Sequence, residues 1–89
     1  MKGIVTVVGK DRVGIIAKVC AYLADNSINI LDISQTIVNG YFNMMMIIDI
    51  SGNLGKFESV AEELGKLGGE IGVDIRLQSE EIFNSMHRI

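Results

Sequence analysis

The chain has 89 residues, enough for one domain with a modest core. Nearly half of them are hydrophobic and none is proline, which argues for a compact globule over a disordered chain. Eight basic residues, scattered among eleven acidic ones, give a net charge of −3 and no electrostatic footprint for nucleic acid. Cys20 is alone and cannot form an internal disulfide, and no signal peptide or membrane-spanning run stands out. The expected location is the cytoplasm, away from membranes.

A first strand is predicted over 2–9, with Ile4, Val5, Val7 and Val8 apolar on both faces, as at the centre of a sheet. The stretch from Gly9 to Ile15 then reads as a tight, glycine-bounded turn into a helix. Backbone N–H groups at such a corner point from the positive end of a helix dipole and suit a carboxylate or another small anion. The first helix, over 13–25, carries a core-facing stripe of Ile16, Cys20, Leu23 and Ala24. A second stripe of Ile15, Val19 and Tyr22 runs beside it, which in so small a domain predicts a surface shared with a neighbour.

The second strand, over 28–39, alternates Leu31, Ile33 and Ile37 with Asp32, Ser34 and Thr36, the period-two pattern of a half-exposed strand. Asn39-Gly40 is a hairpin signal, since a type I′ turn wants positive φ at both central residues. The return strand, 41–51, has Phe42, Met44, Met46, Ile48 and Ile50 on one face and Met45 and Ile47 on the other, so it too belongs at the sheet centre. Ser51-Gly52-Asn53 offers a cap to a second helix striped by Phe57, Val60, Ala61, Leu64 and Leu67. Gly68-Gly69 is its expected left-handed stop. A fourth strand, 71–78, sets Ile71, Val73, Ile75 and Leu77 against Asp74, Arg76 and Gln78, the alternation of an edge. Ser79-Glu80-Glu81 then caps a short last helix whose Ile82, Phe83, Met86 and Ile89 are apolar.

Two strands apolar on both faces and two that alternate predict an α+β, ferredoxin-like βαββαβ sandwich with antiparallel sheet order 4-1-3-2 and a short C-terminal helix. The expectation is one domain over 1–89, a core over 1–78 and a helical tail over 79–89. Right-handed crossovers put both main helices on one face. The other face, with Met45 and Ile47 at its middle, calls for cover by a partner, by the terminal helix, or by both.

Catalysis finds little support. His87 sits in the last turn of the tail, Cys20 has no base near it in sequence, and no histidine or cysteine pair has metal-ligand spacing. No catalytic residue, metal site or cofactor is expected. Gly9-Lys10-Asp11-Arg12-Val13-Gly14 has the glycine spacing of a phosphate loop but lacks the Gly-Lys-Ser/Thr ending that meets phosphate and magnesium. Its glycines either permit a sharp turn or shape a small-anion site. Asn29, at the start of the second strand, offers a donor and an acceptor to a zwitterion, or else closes a turn over Ser27-Ile28-Asn29. Gln35, on an otherwise apolar face, either satisfies a partner across an edge-to-edge interface or sits at a wet strand end.

With these segments in hand, the chain resembles the ACT domain, a small regulatory module that binds amino acids. Lys10-Asp11-Arg12-Val13-Gly14-Ile15-Ile16 looks like the family's loop-plus-helix signature, and Ser27-Ile28-Asn29-Ile30 like the start of its second strand. Asp32-Ile33-Ser34-Gln35-Thr36, Tyr41-Phe42 and Ile82-Phe83 look like a group of stand-alone prokaryotic members of about this length. The resemblance implies a homodimer, open to higher assembly, in which the first helix and second strand pair across a two-fold axis. It implies a small amino acid at that interface, held by Asp11, Arg12, Val13, Gly14, Ile15, Asn29 and Ile30. Val19, Tyr22, Leu31, Ile33 and Gln35 would form the seam. Val13 stands where the family often has proline, and Gly9 where it often has a polar residue. The output of a stand-alone module is an unknown downstream protein.

The leading expectation is therefore a non-enzymatic regulatory module acting through a partner protein. A ligand-free interaction subunit is the alternative, and an acylphosphatase-like hydrolase using Arg12 and Asn43 is a weaker one, because the loop does not match that family. An RNA-binding module of this topology needs exposed aromatics on the central strands, where Thr6, Val8, Met45 and Ile47 stand instead.

Overall fold

The computed structural model describes residues 2–10, 13–50 and 54–81. Its elements run β1 (Lys2–Lys10), α1 (Ile15–Asp25), β2 (Asn29–Val38), β3 (Tyr41–Asp49), α2 (Leu54–Ile71) and β4 (Val73–Ser79). The strands form one antiparallel sheet ordered β2-β3-β1-β4, which is 4-1-3-2 read from the other edge. β1 and β3 lie at its centre, paired from Lys2↔Asp49 to Lys10↔Tyr41, as their two apolar faces require. Asn39 (φ 53°) and Gly40 (φ 79°) adopt the paired left-handed conformations of the expected β2–β3 hairpin.

The core lies between one sheet face and the two helices. Val5 and Val7 of β1 and Met44, Met46 and Ile48 of β3 pack with Val19 and Leu23 of α1 and Val60 and Leu64 of α2. A thickness of 20 Å against 36 × 35 Å leaves room for two layers only. No helix among the described residues is long and apolar enough to cross a membrane.

Four local expectations are corrected. In α1 the buried stripe is Ile15, Val19 and Leu23, not Ile16, Cys20, Leu23 and Ala24. Ile16 and Cys20 are only partly covered and Ala24 is exposed. Both stripes are apolar and adjacent on the helix surface, so the angle at which the chain enters the helix decides which one faces the sheet.

The second correction concerns β2, which has both faces bare: every residue from Leu31 to Val38 is exposed. Its register passes from Ile30↔Ile48 to Asp32↔Ile47, leaving Leu31 as the extra residue of a bulge. There the Ile33 N–H donates to Asp32 Oδ1 at 2.8 Å.

Third, α2 runs straight through Gly68-Gly69 and takes in Ile71, which the sequence places in β4. The left-handed stop is Gly72 (φ 78°). Gly68 serves another purpose: a Cβ there would lie 2.7 Å from the Val73 carbonyl oxygen, so its bareness lets α2 press against β4. Fourth, Gly9 is not a turn residue but the ninth position's small partner to β4, where a Cβ would lie 2.7 Å from Val73 Cγ1. The predicted α2 cap at 51–53 and the tail beyond Glu81 lie outside the described residues.

Candidate functional site

The corner between β1 and α1 turns on Gly14, which caps the helix at φ 92° in the left-handed region and makes no side-chain cap bond. Its carbonyl accepts the Lys18 N–H at 3.0 Å, closing the first helical turn. The first N–H groups of that turn have no intrahelical acceptor and point out of the helix end. Beside them is a shallow hollow of about 240 Å³, walled by Val13, Gly14, Ile15, Lys18, Glu70 and Ile71. Val13 is fully exposed, whereas the Ile15 side chain is buried in the core, so Ile15 can meet a ligand only through its backbone. Asp11 and Arg12 lie outside the described residues.

Lys18, Glu70 and Ile71 are corner residues that sequence reasoning missed. Lys18 was visible as the polar position of an apolar helix. Glu70 and Ile71 arrive only because α2 continues past its glycine pair. The result is a hollow with a helix N-terminus and an ammonium on one side and a carboxylate on the other. Such a rim suits a molecule carrying both charges.

Asn29 and Ile30 do not join this corner within one chain. Asn29 pairs with Asp49, which pairs with Lys2, while Gly14 follows the Lys10 end of β1. The eleven residues of α1 separate the two, about 16 Å of helix. By register Asn29 shares its face with Asp49, on the side away from the helices, and it is exposed. Ile30 is half-buried against the core.

Of the predicted seam residues, Leu31 and Ile33 are each 44% exposed on the free edge and Gln35 is exposed beside them. Ile37, 60% exposed on the same face as Ile33 and Gln35, belongs with them. Val19 is a correction, since it is fully enclosed in the chain's own core and has no surface to offer a neighbour. Tyr22 is half-buried and donates its hydroxyl to Glu63 Oε1 at 2.5 Å, tying α1 to α2. Asn43, the hydrolase candidate, lies across from Val8 on the helix-free face, in a hollow of about 230 Å³ floored by Thr6, Ser34 and Thr36. No group of three or more metal-ligating side chains occurs among the described residues.

Burial, then the hydrogen bond to Glu63 and that carboxylate's charge, push the Tyr22 phenol well above its ordinary value of 10.0. A pKa raised on folding contributes stability that is whole below pH 10 and is lost as pH climbs toward the folded value. Tyr22→Phe should therefore cost about 1 kcal/mol near neutral pH, a cost that shrinks above pH 10. Urea unfolding of both proteins from pH 7 to 11 checks this; a difference that stayed constant with pH would refute the linkage.

The fold and the helix-end corner define a small βαββαβ domain with an open hollow at the start of its first helix, and the sequence places it in a family. The profile of the ACT domain matches residues 3–78, and the chain belongs to that family. It is similar, end to end, to small proteins of uncharacterised function: 58% identical over 88 residues to the UPF0237 protein of Bifidobacterium longum, covering 99% of this chain and 98% of that one. A solved ACT domain protein from Streptococcus pneumoniae superposes with a TM-score of 0.83 at 41% identity, over 93% of each chain. The fold also recurs inside longer proteins. A formyltetrahydrofolate deformylase from Pseudomonas syringae matches with a TM-score of 0.74 at 26% identity, over 88% of this chain and 27% of its own.

Proposed function

We propose that the protein is a non-enzymatic regulatory module that pairs with a second copy along β2 and holds a small amino acid at the seam, passing the signal to a partner protein. ACT domains are typically regulatory ligand-binding modules, and they generally bind amino acids and dimerise. One observation carries the finer reading: the Gly14 corner and Asn29 stand at opposite ends of α1 in the same chain. A two-fold axis that sets β2 antiparallel to its copy exchanges the ends of the sheet. It brings the Asn29 end of one protomer beside the Gly14 end of the other. The free edge with Leu31, Ile33 and Ile37 supplies apolar area for that pairing, and Lys18 and Glu70 supply opposite charges for a zwitterion.

The physical logic is linkage. A ligand that touches two protomers stabilises the dimer by its preference for that state, on the order of 2.7 kcal/mol at a hundredfold excess over Kd. A thermal-denaturation panel of the common amino acids, run with light scattering, tests it. One or a few should raise the melting temperature by several degrees and hold the dimer mass on dilution. A full panel that changed neither quantity would remove the ligand and leave the ligand-free interaction subunit.

A further inference from the structure

Among the described residues β2 pairs with β3 alone, so its other side is a free border of the sheet. That border is unguarded. From Ile33 to Val38 it carries neither charge nor proline, the usual defences of an exposed edge, whereas β4 at the opposite border carries Asp74 and Arg76.

The hairpin fixes which backbone groups face outward. A two-residue turn closes with a bond between its flanking residues, so the Val38 carbonyl accepts from the Tyr41 N–H. Direction alternates along a strand. Thr36 and Ser34 therefore also bond toward β3, while Ile37, Gln35 and Ile33 aim N–H and C=O at the free border. The side chains of these three lie on the helix side, opposite Phe42, Met44 and Met46. All three are exposed.

This triplet, Ile–Gln–Ile at alternate positions, reads the same in both directions about Gln35. A two-fold axis perpendicular to the sheet keeps both helix layers on one side, so opposed residues share a face and the axis falls on a residue. We propose, building on the dimer reading above, that the axis falls on Gln35. Ile33 then meets Ile37 of the second copy, Ser34 meets Thr36 on the other face, and Gln35 meets itself. A carboxamide is its own complement, with donors on one side and an acceptor on the other, so two of them bond reciprocally where two like charges would repel. Moving the axis to Ser34 or Thr36 sets Gln35 against Ile33 or Ile37 and leaves the amide unanswered. Moving it to Ile33 or Ile37 sets Gln35 against Leu31 in its bulge or Asn39 in the turn, where strand pairing ends.

The same register serves the shared site. Asn29 pairs with Asp49, and Gln35 with Met44. An equal span counted the other way from Met44 runs past Tyr41 and Lys10, the last pair of β3 and β1. Asn29 of the second copy comes level with the chain where it turns toward Gly14.

Cysteine pairing reads the register. With Cys20→Ser removing the native thiol, Gln35→Cys should cross-link the dimer under mild oxidation, because opposed Cα atoms lie about 5.5 Å apart, within disulfide reach. Ser34→Cys and Thr36→Cys should not, since each lies two residues out of line with its own copy, about 8 Å away. Gln35→Glu and Gln35→Lys give a second reading free of disulfide geometry. Each alone should dimerise at least tenfold more weakly, and an equal mixture should form mixed dimers well beyond the random proportion. Sedimentation of the parent comes first: a monomer would remove the dimer and the shared site together. A dimer that cross-links through position 34 or 36, or whose two charge variants mix at random, would overturn the register and leave the dimer standing.

Discussion

Ile33→Asp should convert a dimeric protein into a monomer at concentrations where the parent remains paired. Ile33 stands on the free edge strand, 44% exposed, with Leu31 and Ile37 beside it. A two-fold seam uses each residue twice, so one substitution removes two apolar contacts and inserts two carboxylates. Burying a large aliphatic side chain is worth about 1.5–3 kcal/mol, and roughly half of that remains to be gained at a position already half-covered. The dimer constant should weaken on the order of a hundredfold, with the unpaired charges adding to the loss. Sedimentation over a dilution series reads this, and far-ultraviolet circular dichroism should stay unchanged because the site is at the sheet border. A parent protein that is already monomeric at high concentration would end the argument for a shared site. Amino-acid binding should fall with the dimer, since the Gly14 corner alone supplies only half of the proposed contacts.

The second large effect is on folding, and its sign runs against helix propensity. Gly68→Ala and Gly69→Ala both replace an interior helical glycine, a change that by itself favours the helix by about 1 kcal/mol. Gly69 has open space around a built Cβ and should follow that rule. At Gly68 the new methyl meets the Val73 carbonyl oxygen at 2.7 Å, and Ile75 at 3.0 Å. Backbone cannot swing aside as a side chain can, so α2 must lift from β4. Overpacking of this kind costs typically 1–3 kcal/mol, more than the propensity returns. Gly68→Val should reach the upper end, a fall in melting temperature of about 10–20 °C for a domain of this size. Equal and positive shifts for the two alanine variants would show that α2 does not press on β4 as closely as described.

These glycines mark where sequence reasoning stops. A glycine pair at the end of an apolar helical stripe reads as a stop signal, because both of the ordinary reasons for a helical glycine look the same in one dimension. The actual stop, Gly72, is distinguished only by its φ, and Gly68 only by what lies across from it. The corner inherits this error: had α2 ended at Gly68, Glu70 and Ile71 would not wall the hollow beside Gly14.

Much else was legible. Strand order followed from which strands were apolar on both faces, since only a central strand loses both faces to packing. The hairpin followed from Asn39-Gly40, whose φ requirement is local and needs no partner. Gly14 was only partly legible: the sequence starts the first helix at Val13, whereas the helix begins at Ile15 and Gly14 caps it in the left-handed region.

By itself, then, the sequence determined the order of the described elements, the sheet centre and the Asn39-Gly40 hairpin, because these depend on neighbours within a few residues. Tertiary structure alone decided three things that depend on contacts across the fold. It chose Ile15, Val19 and Leu23 over the adjacent apolar stripe of α1, since two such stripes bury comparable area and only the docking angle separates them. It put Leu31 out of register in a bulge, which period-two alternation cannot reveal. And it set Gly14 and Asn29 at opposite ends of α1, because a helix that starts at one end of a sheet must hand the chain back at the other.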